Sequence, residues 1–185
     1  GSVAKAVRHL GFAVEIVSGP EKLASSEKII LPGQGHFGSM IRALHESRLY
    51  DALKEAMEKG CRYLGICLGL QLLYEGSEEA PRVPGMGLIP GNVKRLQDVF
   101  KIPHIGWSQI ELRKTDGLLT GIKSGGFFYF CHSYSAPVGP DCVGVTNYGQ
   151  KFASVVERGP ISAVQFHPEK SGEIGLRVLQ NFLEK

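Results

Sequence analysis

A short apolar run, Tyr63 to Ile66, passes without a loop into Cys67-Leu68-Gly69-Leu70-Gln71-Leu72-Leu73-Tyr74. The run has the length and composition of a buried strand, while Leu68 to Tyr74 places its apolar residues at helical rather than alternating spacing. One cysteine stands at the junction, with Gly65 two residues before it and Gly69 two residues after. Gly-x-Cys-x-Gly is the thiol form of the Gly-x-Ser-x-Gly nucleophile elbow. A strand that turns so sharply into a helix needs glycines where neighbouring backbone comes close, and it belongs to a sheet whose strands are followed by helices. The motif also predicts chemistry. A helix N-terminus presents free N–H groups and a positive dipole end, so Cys67 is expected to be a thiol of lowered pKa. The N–H of Leu68 is expected to face an oxyanion formed beside the sulfur. A free cysteine is most often just a small buried residue. The two glycines shift the weight toward a nucleophile, and a base elsewhere in the chain has to decide.

The segments before the elbow alternate helix and strand. Val3, Ala6, Val7 and Leu10 form a helical stripe closed by Gly11. Ala13 to Val17 and Lys28 to Leu31 read as strands. The second runs into the glycine-rich turn Pro32-Gly33-Gln34-Gly35-His36-Phe37-Gly38, too rich in glycine for a helix. Met40 to Glu46 and Leu49 to Lys59 read as amphipathic helices, and Gly60 stops the second. This is the pattern of a doubly wound α/β sheet. After Glu75 prolines and glycines interrupt short apolar pieces. Val93–Leu96, Ser108–Leu112, Phe127–Phe130, Cys142–Tyr148, Ala153–Glu157 and Ser162–Phe166 read as strands of a mixed or antiparallel sheet. Ser171 is placed to cap a final helix with Glu173 in its first turn, and Ile174, Val178 and Phe182 lie on its buried side. With no internal repeat and no low-complexity linker, residues 1–185 are expected to form one domain.

The base is expected in Gln165-Phe166-His167-Pro168-Glu169-Lys170-Ser171, at the end of the last strand. Pro168 favours an extended His167, and in extended chain residues two apart project to the same side. Glu169 could then orient the His167 imidazole, giving a base and its carboxylate to serve a nucleophile elsewhere. The elbow and this segment both fall at carboxyl ends of strands, where open α/β sheets place their sites. Alone, a His-x-Glu pair is more often a surface accident; beside Gly-x-Cys-x-Gly it is not. His9 and His45 lie on solvated helix faces, His36 lies in the glycine turn and His104 precedes Ile105-Gly106-Trp107. His132, in Cys131-His132-Ser133-Tyr134, is the one rival base, and it has no carboxylate two residues away.

Composition excludes other classes. The net charge is +3 without a basic cluster, which gives nucleic-acid binding little support. No apolar run approaches the roughly 20 residues needed to span a bilayer, and no signal peptide is visible. Cys61, Cys67, Cys131 and Cys142 lack paired metal-ligand spacing, so they read as reduced thiols of a cytoplasmic protein.

Gly65-Ile66-Cys67-Leu68-Gly69-Leu70-Gln71, followed about a hundred residues later by Phe166-His167-Pro168-Glu169, resembles the class I (triad) glutamine amidotransferases. Three further regions are similar to the glutaminase subunits of imidazole glycerol phosphate synthases of histidine biosynthesis: Glu75-Gly76-Ser77-Glu78-Glu79 with Gly85-Met86-Gly87-Leu88-Ile89-Pro90-Gly91, then Pro103-His104-Ile105-Gly106-Trp107, then Phe128-Tyr129-Phe130-Cys131-His132-Ser133-Tyr134. The resemblance runs over essentially the whole chain. It implies an open mixed sheet flanked by helices, with a cysteine nucleophile elbow. It implies Cys67 as nucleophile, His167 as general base and acid, and Glu169 as its orienter. Leu68 and the Gly33–Gly35 turn would supply oxyanion N–H groups, while Gln71 and the backbone around Ser133 and Tyr134 would hold glutamine. Trp107 and Lys170 would face a partner cyclase subunit in a heterodimer. No cofactor or metal is implied. Two departures stand out. Family members begin with one more strand and a Tyr-Gly-x-Gly-Asn turn before the segment matching Ser2-Val3-Ala4-Lys5, so this chain is expected to lack the first strand. Ser108 stands where the family has asparagine after Gly-Trp. The alternatives to a glutaminase subunit are another triad amidotransferase, a cysteine peptidase or hydrolase of related fold, and a regulatory subunit that kept the fold without turnover.

Overall fold

The computed structural model describes residues 1–97 and 101–185. The chain opens with helix α1 (Ser2–His9) and strand β1 (Lys28–Gly33), followed by α2 (Phe37–Glu46), α3 (Leu49–Glu58), β2 (Arg62–Cys67) and the one-turn α4 (Leu68–Gln71). Short strands β3 (Gly76–Ser77) and β4 (Asn92–Arg95) lead to β5 (His104–Leu112), β6 (Gly126–His132) and β7 (Tyr134–Ser135). The chain ends with β8 (Cys142–Tyr148), β9 (Gln150–Arg158), β10 (Ile161–Val164) and α5 (Gly172–Glu184). The main sheet has seven strands in the order β1-β2-β10-β9-β8-β5-β6, and β3, β4 and β7 form a small second sheet. β1, β2 and β10 run parallel, and the strands from β10 through β9, β8 and β5 to β6 run antiparallel.

Apolar residues on alternate sides of the strands build two cores. Ile29 and Tyr63 face one core with Phe37, Ile41, Leu44, Leu53 and Met57 from α2 and α3. Leu64, Ile66 and Val164 face the other with Val3 and Val7 of α1 and Val178, Leu179 and Phe182 of α5. A parallel segment covered on both faces must read as a continuous apolar run, and Tyr63-Leu64-Gly65-Ile66 does so. The antiparallel half has a different outer face. Ile105, Trp107 and Phe127 are exposed by 58%, 54% and 53%, so β5 and β6 present large apolar side chains to solvent.

The segment Ala13 to Val17, expected as a strand, forms none. β1 is the terminal strand of the sheet. A groove of about 910 Å³ is lined by residues of both segments, among them Phe12, Val14, Val17, Ile30 and Leu31. Apolar composition alone therefore misled there, because a strand needs a backbone partner. Other differences are smaller. α2 starts at Phe37, inside the turn expected to be non-helical, with His36 accepting a hydrogen bond from the N–H of Gly38 at 3.1 Å. The helix expected over Leu68 to Tyr74 is regular only to Gln71. Ser171 precedes α5 but its side chain caps nothing. Instead its hydroxyl donates to the His167 carbonyl at 2.7 Å and accepts from the Tyr129 N–H at 3.0 Å.

Candidate active site

Two adjacent parallel strands bring the expected groups to one end of the sheet. β2 ends at Cys67, and β10, its neighbour with Val164 opposite Ile66, runs on into Gln165, Phe166 and His167. Cys67 itself has φ 57 and ψ −106. A non-glycine residue in that region stores on the order of 1–3 kcal/mol of strain, the mark of a nucleophile elbow. The flanking glycines are required by contact. A Cβ on Gly65 would stand 2.3 Å from the Gly69 carbonyl oxygen, and one on Gly69 would stand 2.1 Å from that of Leu31. The Tyr63 hydroxyl ties the turn down by donating to the Gly69 carbonyl at 2.8 Å.

His167 lies buried on the loop after β10, its N–H bonded to the Tyr129 carbonyl at 2.9 Å. Its Nδ1 is 3.0 Å from Oε1 of Glu169. A carboxylate only accepts, so Nδ1 carries the proton and Nε2 is left to receive one. Nε2 is buried and has no hydrogen-bond partner. The pairing arises through a 3-10 turn over Pro168–Lys170, with His167 extended at φ −99 and ψ 97, and not through the continuous extended chain expected from Pro168.

The sulfur differs from expectation in one respect. Burial pushes the Cys67 thiol up to about 12, against a weaker lowering by the Leu68 N–H and with Glu169 and Glu79 adding negative charge nearby. The expected lowering fails because α4 is a single turn and the residue is 5% exposed; desolvation outweighs the short helix. Cys67 is therefore a thiol at rest. Its Sγ is 3.6 Å from Nε2 of Gln165 and 3.9 Å from the Cys131 carbonyl, on β6. A small neutral alkylating reagent should label exposed Cys131 first, while its rate at Cys67 climbs roughly tenfold per pH unit across the neutral and mildly alkaline range. Peptide mapping against pH checks this; a plateau at Cys67 below neutrality would contradict it.

The other expected residues surround this centre. Gly33 pairs with Cys67 across β1 and β2, and a Cβ there would lie 2.7 Å from Cβ of Leu68. Gly35 has φ +99. Gln71 is buried; its Nε2 donates to the Tyr134 carbonyl at 2.9 Å and to Oε1 of Gln165 at 3.1 Å, and its Oε1 is unpartnered. The Ser133 carbonyl is taken by the Leu96 N–H at 2.9 Å. Trp107 and Lys170 both meet the ring of Tyr129, Trp107 edge-on at 6.0 Å and the Lys170 ammonium at 5.8 Å. Sequence reasoning missed Gln165 and Glu79. Gln165 links Gln71 to the sulfur. Glu79 accepts the Phe37 N–H at 2.7 Å, holding the start of α2 against the elbow. A glutamine inside an apolar strand end was the signal for the first; nothing local marked the second.

His132, the rival base, is not free to act as one. Its two ring nitrogens are engaged by His104 and by the Tyr134 carbonyl, and burial pushes it down to about 3.

A strained elbow cysteine beside a carboxylate-oriented histidine is the arrangement of a thiol-dependent amide hydrolase. The family model for glutamine amidotransferase class I matches residues 1–185, and the chain belongs to that family. Within it, the chain belongs with the imidazole glycerol phosphate synthase subunit HisH proteins. It is 49% identical to the one from Thermococcus kodakarensis over 98% of this chain and 94% of that protein. It is 45% identical to the one from Methanocaldococcus jannaschii over 99% and 92%. The fold is shared with solved structures such as one described as PurLQS from Thermotoga maritima, with TM-score 0.76, 22% identity, and coverage of 99% of this chain and 91% of the other.

Proposed function

We propose that this glutamine amidotransferase works through Cys67, His167 and Glu169 and passes its ammonia to a cyclase subunit that forms imidazole glycerol phosphate. The observation that carries the reading is the buried His167–Glu169 pair, delivered by β10 beside the elbow on β2 with His167 Nε2 unengaged. Nε2 takes the Cys67 proton as the sulfur attacks the side-chain amide carbon of glutamine. A resting thiol makes that transfer necessary. N–H groups of Leu68 and the Gly33–Gly35 turn stabilise the oxyanion. His167 returns the proton to the departing ammonia, then activates the water that hydrolyses the thioester to glutamate. The Gln71 Oε1, unpartnered and buried, accepts from bound glutamine, beside the backbone of Ser133 and Tyr134.

The partner meets the outer face of β5 and β6, where Trp107, Ile105 and Phe127 are exposed and Lys170 adds a cation. Trp107 is the kind of aromatic anchor that interface centres use. The pair acts as a heterodimer in the cytoplasm, the chain folding as one domain. Among the described residues no helix is long and apolar enough to cross a membrane.

Glutamine carrying 15N in its side-chain amide tests the reading. With the cyclase and its nucleotide substrate present, the label is expected in the imidazole product, with one glutamate released per ring. Label recovered only as free ammonia, or no glutamate formed, would contradict it.

A further inference from the structure

We propose that His104 and His132 are positioning residues, forming a proton-ordered chain that starts at Ser108 on β5 and fixes the Tyr134 carbonyl and the Gln71 amide beside Cys67. The proposal rests on the reading of Cys67 as the reacting sulfur.

Each proton in the chain follows from its neighbour. The His132 Nδ1 stands 2.8 Å from the Tyr134 carbonyl. A carbonyl only accepts, so Nδ1 is the protonated nitrogen. In a neutral ring Nε2 is then bare. The His104 Nδ1, 3.0 Å from it, must donate. That leaves His104 Nε2 bare, and the Ser108 hydroxyl at 2.8 Å must donate to it. Burial keeps both rings neutral, with His104 down to about 4 and His132 to about 3. Neither ring can turn over without breaking a buried bond. His104 is clamped between Phe130 and Tyr148, with ring centroids at 4.9 and 3.9 Å, and His132 packs against Phe152 at 5.0 Å.

The chain ends in the site. The Tyr134 carbonyl that receives the His132 proton also receives the Gln71 Nε2–H. Gln71 donates in turn to Gln165, whose own amide reaches Cys67 Sγ. Both donor directions of the Gln71 amide are thereby fixed, and its Oε1 is left buried and open. The Tyr134 carbonyl and Gln165 thus set which end of the Gln71 amide meets the substrate, and the histidines hold that carbonyl in place. Neither histidine is hydrogen-bonded to the sulfur or to His167, so their role is in binding and not in proton transfer. The far end of the chain lies next to Trp107 in sequence, on the strand that presents the exposed apolar face.

The test uses the full chain with the cyclase and its nucleotide ligand present and measures steady-state glutamine hydrolysis, with alkylation of Cys67 by iodoacetamide as an independent readout. His104→Phe keeps the stacked ring and removes both hydrogen bonds, leaving the His132 Nε2 unpaired. It is expected to raise KM for glutamine about tenfold, the scale of one buried unsatisfied group, with kcat and Cys67 alkylation changed less than about threefold. Ser108→Ala is expected to move KM the same way but less, because that end is partly exposed, and Ser108→Thr should restore it. Should His104→Phe fail to fold, the serine pair carries the test. Unchanged KM in folded His104→Phe, or in Ser108→Ala if the former does not fold, would overturn the proposal. So would a parallel fall in kcat, alkylation rate and thermal midpoint, which a merely structural role predicts. A wild-type chain whose Cys67 is never labelled by a glutamine-shaped electrophile would instead remove the reading on which the proposal rests.

Discussion

Glutamine turnover is expected to fall by about 10²–10⁴-fold in His167→Asn, the range general acid–base catalysis supplies, with the folded structure retained. The size of the effect follows from the state of the sulfur. With the thiol pushed up to about 12 by burial, thiolate is scarce at neutral pH and attack depends on a base. Asparagine can keep a donor toward Glu169 but offers no nitrogen to take the thiol proton. Glu169→Gln should cost less than removing the base, because the base remains and only its orientation and the stabilisation of its charged form are lost. His132→Asn keeps a donor toward the Tyr134 carbonyl and should leave kcat largely intact. Turnover rates with circular dichroism as a control for folding check all three. A folded, fully active His167→Asn beside a dead His132→Asn would reverse the assignment of the base.

The second large effect concerns the partner. Glutaminase activity of the chain alone is expected to be low and to rise at least about tenfold, some 1.4 kcal/mol of barrier, when the cyclase and its nucleotide ligand are added. Restoration of a full oxyanion donor would be worth about 10²–10³. The physical basis is that β6 serves both the site and the exposed face. Its Cys131 carbonyl is 3.9 Å from Cys67 Sγ and its Tyr129 carbonyl accepts the His167 N–H, while the ring of Tyr129 meets Trp107 and Lys170. At rest the thiol accepts a hydrogen bond from Gln165 Nε2 and donates to the Cys131 carbonyl, and His167 Nε2 has no partner. A partner that shifts β6 changes the relative placement of nucleophile and base. A peptide flip at Gly35, which has φ +99 and no neighbouring atom within 4 Å of where a Cβ would stand, would meet little side-chain hindrance, whereas Gly33 is held between Met40 and Leu68. Trp107→Ala should weaken the activation while leaving Cys67 reactive. Full turnover by the isolated chain, unchanged on adding partner and ligand, would show that no gating exists.

How much of this was legible in the sequence depended on how local the cause was. Gly65 and Gly69 announced the elbow because their need arises within a few residues, from the backbone that a Cβ would strike. His167 and Glu169 were legible as a pair because they are two residues apart, although the turn that joins them is 3-10 and not extended. The pKa of Cys67 was misjudged because helix polarity is local while desolvation depends on β6 and β10 closing over the sulfur. The His104–His132 contact was invisible because the two residues are joined only by the cross-strand register of β5 and β6. Ala13 to Val17 was misread because pairing, which apolar composition does not report, decides whether such a run is a strand.

The most direct measurement is rapid quenching of the chain during glutamine turnover, followed by peptide mass mapping of its cysteines. One γ-glutamyl group is expected on the Cys67 peptide. It should accumulate further where His167 can no longer activate water, provided some acylation persists, and should be absent from Cys61, Cys131 and Cys142. Acyl transfer to another residue, or glutamate formation that persists in Cys67→Ala, would show that this buried elbow thiol does not carry the reaction.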